Sequence, residues 1–382
     1  MNFAILSFII GFILQFEALF LLLPWIVGMI YGEYHVALIY LVTAAVCFIL
    51  GKLLSFKHTG RFKELYVREG FTAVALGWFV MSVFGAIPFV LTREIPFYID
   101  ALFETISGFT TTGASILTAV EPLPRGILFW RSFMHWMGGM GVLILTIALL
   151  PSLGGRTLHV MRAESPGPIV SKLVPKTSQS SKILYGIYCA LTLLEVFCLR
   201  IAGMPWYDSL VHSFATAGTG GFSTRNLSIA AYESPAIEVI ITLFMLIFSI
   251  NFALYFLLLC GKVHQALRSD ELRFFLAVVA FSTLLISINI WPMYPADGSA
   301  VRHAAVGSII STTGFASTDF NLWPEFSRIL LVLLMFIGAC AGSTGGAIKC
   351  SRVLLLLKCI RREIRQVVHP RSVNVVKLDG RV

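Results

Sequence analysis

Three short runs of Thr, Ser and Gly hold this sequence's main chemical potential: Thr110-Thr111-Thr112-Gly113, Gly218-Thr219-Gly220-Gly221 and Ser311-Thr312-Thr313-Gly314. Asp100 precedes Gly113 by 13 residues, and Asp208 precedes Gly221 by the same 13; in the third copy Val301 takes the Asp position, and Ser299 or Asp297 can cap instead. Each run follows about ten residues of moderately apolar helix former, too short to cross a bilayer. Such a segment can enter from outside, end at mid-depth and return as extended chain, provided its backbone is buried in protein or lines an aqueous cavity. Its carbonyl end then points a partial negative charge at the membrane centre, and the extended residues after it offer successive main-chain oxygens. Gly allows the unusual dihedrals, and Thr adds a hydroxyl. Neutral oxygen ligands suit a large monovalent cation better than magnesium or calcium, which favour carboxylates, so potassium is the natural candidate. A lone T-T-G is also what a helix stop on a surface turn looks like. Three in register, each between two long apolar runs, favour re-entrant pore loops.

The elements that must position these runs are membrane spans. Of 382 residues, 57 % are hydrophobic and 13 % charged, with 31 Phe, which excludes a disordered chain, a secreted disulfide scaffold and a nucleic-acid-binding domain. A hydrocarbon core ~30 Å thick needs about 20 helical residues. That ruler picks out eight spans, near 3–30, 34–54, 71–91, 127–150, 182–203, 236–260, 272–292 and 326–348. The connections 51–70, 151–182 and 261–273 and the tail from Lys349 carry 22 of the 29 Lys and Arg residues. Positive charge marks the cytoplasmic side, which puts both termini inside and the segments 92–125, 204–235 and 293–325 outside. The net charge of +9 is therefore a topology signal, although a basic cytoplasmic face can also dock an acidic partner or anionic lipid. The organisation expected is an N-terminal hairpin (1–54), three span, pore helix, span repeats (71–150, 182–260, 272–348) and a basic cytoplasmic tail (349–382). No cofactor is expected in this chain: the eight His lack metal-ligand spacing, and the seven Cys lack a C-x-x-C pair and read as reduced.

Gly342-Ser343-Thr344-Gly345-Gly346, with Lys349 at its cytoplasmic end, interrupts the last apolar run. Three glycines in five residues should break the helix there. A kink for close packing is the plainer alternative. A nucleotide P-loop does not fit, because the Lys is three residues beyond the last Gly and is followed by Cys350. Glu17 and Glu195 sit within apolar spans, as structural groups or as part of a proton pathway. Asn251 reads as interhelical glue and His135-Trp-Met-Gly-Gly-Met-Gly as a close-packing face. Asp100, Glu104 and Asp208 can draw cations to the mouth, or the two Asp can cap helices.

The stretches S-G-F-T-T-T-G-A-S (107–115), H-W-M-G-G-M-G (135–141), M-R-A-E-S-P-G-P (161–168), H-S-F-A-T-A-G-T-G-G-F-S-T (212–224), S-T-T-G-F-A-S-T (311–318) and A-G-S-T-G-G-A-I-K (341–349) together resemble the Trk/Ktr/HKT superfamily of potassium transporters, specifically its TrkH-type pore subunits. The resemblance covers nearly the whole chain. It implies one filter glycine per repeat (Gly113, Gly221, Gly314), an intramembrane gating loop at 342–346, and potassium uptake across the bacterial inner membrane. It also implies a homodimer of pore subunits regulated by a cytoplasmic ring of nucleotide-binding RCK/KTN subunits.

Members of that family carry four repeats, and three are found here. The expectation is a shortened subunit that conducts poorly or not at all alone. Two alternatives stand beside it. One is a non-conducting scaffold that pairs with full-length subunits. The other is an intramembrane serine protease built on the G-x-S forms at Ser115 and Ser223, which would need one unique Ser with a His base.

Overall fold

A computed structural model describes residues 3–56, 67–139, 141, 177–294, 298–308, 311–369, 375, 376 and 378. The stretch 161–168, the second half of the expected span 127–150, Asp297 and much of the basic tail lie outside the described residues. The protein is all-α: the extended pairing found among the described residues is a single parallel bridge between Ile337 and Ile348.

Helices α1 (Phe3–Ile30) and α2 (Tyr34–Phe56) form the N-terminal hairpin. They meet through Gly11 and Gly51, where a Cβ on Gly11 would come within 2.7 Å of the Gly51 carbonyl. Gln15 Nε2 seals the seam, donating to the carbonyls of Gly11 and Gly51 at 3.1 and 3.2 Å. The first repeat comprises α3 (Val67–Gly85), α4 (Ile87–Leu91), the short α5 (Tyr98–Phe109) and α6 (Arg125–Gly139). The second comprises α7 (Thr177–Ile201), the short α8 (Trp206–Ala217), α9 (Pro235–Ser249) and α10 (Phe252–Leu259). After α11 (Val263–Leu267), the third has α12 (Asp270–Ile290), the short α13 (Ser299–Ser308) and α14 (Glu325–Phe336), and α15 (Cys350–Val368) follows.

Among the described residues five stretches are long and apolar enough to cross a membrane, and α9 with α10 make a sixth. Their outward faces carry large apolar side chains such as Leu19, Phe48, Phe79, Phe197 and Phe281, as lipid contact requires. The chain is thus a polytopic membrane protein. Two of the expected spans are not continuous helices. The run 236–260 bends by 92° at Ile250-Asn251, and the run 326–348 leaves helix after Phe336, five residues before the Gly-rich segment begins. The repeats are related by their packing. α8 lies against α6, the closing helix of the repeat before it, and α13 lies against α9 in the same way.

Candidate functional site: three helix-end bends and the segment beneath them

The short helices α5, α8 and α13 lead into the three Thr/Gly runs, as their spacing predicts. Each run makes the same turn. Thr111, Thr219 and Thr312 have φ of 55°, 56° and 62°, and Gly113, Gly221 and Gly314 have φ of 74°, 79° and 82°. In the first two runs the turn is closed by a pair of helix-ending bonds. Thr112 and Gly220 N–H donate to the Ser107 and Ala215 carbonyls at 2.9 Å, and Thr111 and Thr219 N–H donate to Gly108 and Thr216 at 3.1 and 2.9 Å. That position in a helix end usually holds Gly, because a β-branched side chain is strained there. The same strained residue at three equivalent places points to a demand other than chain reversal.

The bends touch in order. A Cβ placed on Gly113 would overlap the Gly220 carbonyl oxygen, and one on Gly221 would overlap the Thr313 carbonyl oxygen; around Gly314 there is open space. Three equivalent bends therefore follow one another, glycine to carbonyl, and the Gly314 end of the arc is free among the described residues. All twelve residues of the three runs fall within this arc.

The closing helix α6 supports the first two bends. A Cβ on Gly138 would overlap the Phe109 carbonyl, and one on Gly139 would come within 2.6 Å of Gly218 Cα. His135 fills the space that side chains at Gly218 and Gly220 would need, and its ring stacks on Phe222 at 4.1 Å. This explains why the second run has Gly where the others have hydroxyls. Thr110 and Thr112 Oγ1 lie 2.8 Å apart, and Ser311 Oγ and Thr313 Oγ1 lie 2.7 Å apart, whereas the second run yields that space to the imidazole. The 135–141 motif is thus a close-packing face, as its small residues predict.

A bracket spans each bend. Buried Glu104 receives Ser115 Oγ–H and Ile116 N–H, both at 3.0 Å, and pairs with buried Arg131 at 2.7 Å. Its charge is matched inside the protein, so it is not free to draw cations to the mouth. At the equivalent place His212 Nε2 meets Ser223 Oγ at 2.9 Å, while Nδ1–H donates to the Asp208 carbonyl. His303 meets Ser317 Oγ at 2.9 Å in the third. His212 on Ser223 is the pairing a serine nucleophile would need, but it recurs as His303 on Ser317, so the unique Ser that the protease alternative requires is not found; the three contacts act as struts across the bends. Asp100 and Asp208 lie in first turns behind the cap positions Phe97 and Pro205, and Asp208 Oδ1 accepts from Thr224 Oγ1 at 3.0 Å. They are not N-caps.

The Gly-rich segment lies directly against the second and third bends. Thr219 Oγ1 lies 3.1 Å from the Thr344 carbonyl, within hydrogen-bond reach, and Gly346 N–H donates to Thr312 Oγ1 at 2.8 Å. The bend in the second repeat receives the same segment. Cys340 N–H donates to the Ser249 carbonyl and Phe252 N–H to the Gly342 carbonyl, each at 3.0 Å, while Thr344 Oγ1–H reaches the Phe248 carbonyl at 3.2 Å. Two helix breaks thus satisfy each other's backbone groups, which a membrane interior demands. Asn251 is not interhelical glue: its Oδ1 caps α10 by accepting from Ala253 N–H at 2.9 Å, and it stands where a Cβ on Gly342 would sit. Glu271, at the start of α12, holds both ends of the segment, with Oε1 accepting from Ala341 N–H at 2.7 Å and Ser351 N–H at 3.0 Å. Lys349 Nζ donates back to the Gly345 carbonyl. The two buried carboxyls singled out from sequence, Glu17 and Glu195, are not among the twelve residues of the arc. Glu17 Oε1 lies near Gly85, behind α5.

Comparison with known proteins is consistent with this geometry. Residues 40–382 match the family model described as TrkH, cation transport protein. Two relatives named Trk system potassium uptake protein TrkH, from Salmonella typhimurium strain LT2 and Escherichia coli K12, are each 37 % identical over 388 aligned positions, covering all of this chain and 80 % of the relative. The crystal structure of the potassium transporter TrkH from Vibrio parahaemolyticus superposes with a TM-score of 0.87 at 33 % identity, over all of this chain and 80 % of that one. With the family model spanning most of the chain and relatives of this identity covering all of it, the protein belongs to the TrkH family of cation transport proteins.

Proposed function

We propose that this protein takes up potassium across the bacterial inner membrane, and that its filter is built from the main-chain oxygens of Thr110 to Gly113, Gly218 to Gly221 and Ser311 to Gly314. The observation that carries the reading is the contact of three equivalent strained bends, glycine to carbonyl, at the ends of three short helices. Helix ends of this kind concentrate negative potential where a dehydrated cation would sit, and neutral carbonyls replace its hydration shell without trapping it. The names of the relatives, all potassium uptake proteins, support the choice of ion.

The segment from Gly342 to Gly346, with Lys349, acts as the gate. It lies at the inner ends of two bends and is irregular backbone held by hydrogen bonds, which can exchange at small cost. Both termini face the cytoplasm, in keeping with the distribution of Lys and Arg. The pore subunit works as a homodimer, with a cytoplasmic RCK/KTN-type partner that carries the nucleotide; no cofactor resides in this chain. The Gly314 end of the arc is open among the described residues.

The test is stabilisation of the purified chain by potassium. Its melting temperature should rise with potassium or rubidium and much less with sodium at equal ionic strength. Equal shifts with all three ions would contradict the filter reading.

A further inference from the structure

At the strained helix-end position the three runs keep Thr where Gly would be relaxed, and at two of the three the hydroxyl is engaged beyond its own loop. Thr219 Oγ1 has one proton and two acceptors in reach, the Gly218 carbonyl at 2.6 Å and the Thr344 carbonyl at 3.1 Å. Thr312 Oγ1 donates to the Ser311 carbonyl at 2.6 Å while accepting from Gly346 N–H at 2.8 Å. Gly218 and Ser311 occupy the same register, the first residue of their runs. A Cβ on Gly345 would come within 3.0 Å of the Ser311 carbonyl. At Thr111 no such bond is made among the described residues.

We propose that Thr219 and Thr312 are positioning residues that couple cation occupancy of the inner filter carbonyls to the position of the gating segment. The proposal rests on the filter reading above. A cation at the Gly218 carbonyl repels the hydroxyl proton that shares that oxygen and turns it toward Thr344, which tightens the segment. By reciprocity, a tightened segment leaves the Gly218 carbonyl free for the cation and raises affinity there. Thr312 is the second anchor, holding Gly346 while its own proton stays on Ser311. The strain of Thr at φ near +60° is thereby accounted for, since Gly would relax the turn and remove the hydroxyl.

The experiment measures amide hydrogen exchange over 338–349 by mass spectrometry on the full chain in nanodiscs, with potassium against sodium, alongside a potassium melting titration of the same samples. In the unsubstituted protein, saturating potassium should slow exchange across the segment about tenfold, the size expected for one or two hydrogen bonds gained. T219V and T312V should lose that response, whereas T219S and T312S, which keep the hydroxyl, should retain it. Absence of any potassium-specific stabilisation in the unsubstituted protein overturns the filter reading itself. Potassium stabilisation with no slowing of exchange overturns the coupling alone. Coupling that persists in both valine variants overturns the role of these hydroxyls. Loss of potassium binding in the valine variants, restored by serine, assigns the hydroxyls to filter structure and overturns the coupling role.

Discussion

The three glycines proposed for the filter share a backbone conformation but not a neighbourhood, and this makes alanine substitution diagnostic. At Gly113, Gly221 and Gly314 the φ values of 74°, 79° and 82° impose a comparable strain on Ala, roughly 1–2 kcal/mol. At Gly314 nothing lies within reach of the new methyl, so strain is the whole cost. At Gly113 and Gly221 the methyl also overlaps a backbone carbonyl of the following bend, which belongs to rigid main chain and must turn away. Displacing an oxygen that has lost its partner adds about 1–3 kcal/mol. Expressed as apparent potassium affinity, G314A should weaken binding by a factor of about 5–30. G113A and G221A should weaken it by about thirtyfold to a few thousandfold, at roughly tenfold per 1.4 kcal/mol. The assay is the potassium dependence of the melting temperature, with sodium as control. Equal losses in all three variants, or a loss in G314A exceeding that in G221A, would refute the glycine-to-carbonyl order of the bends.

Two further outcomes follow from the supports of the site. R131M leaves Glu104 buried with the Ser115 hydroxyl and the Ile116 amide but no positive partner, and should cost about 3–5 kcal/mol of stability, most of it recovered in R131M/E104L; thermal unfolding without potassium checks both. E271A removes the acceptor of the Ala341 and Ser351 amides, each worth about 1–3 kcal/mol when orphaned, so exchange at those two amides should rise by at least about fivefold.

The repeated frame was legible in the sequence because it is local. A ten-residue apolar segment followed by Thr and Gly states both the short helix and its stop, and the structure places α5, α8 and α13 where that pattern lies. The 92° bend at Ile250-Asn251 was not legible. Apart from Ser249 and Asn251 its surroundings are apolar with no Gly or Pro, and the bend is held by bonds to residues 340–344, some ninety positions away. The exit from helix at Ile337 has the same origin, since the Gly338 amide bonds to the Ile348 carbonyl at 2.8 Å across the irregular segment. Glu104 read as a mouth charge because its partner Arg131 lies 27 residues on, in another helix. The one signal available was an Arg inside an apolar run, which in a membrane calls for a buried acid. His135 carried no spacing clue, and only the packed structure explains why the second run contains three glycines.

The most direct measurement of the central claim is the position of a heavy potassium analogue. Crystals of the protein grown in rubidium, with data collected at the rubidium absorption edge, should show an anomalous peak among the three bends, coordinated by main-chain oxygens from each of the runs 110–113, 218–221 and 311–314. A peak elsewhere in the protein with none between the bends, or one held by side-chain carboxylates, would contradict it.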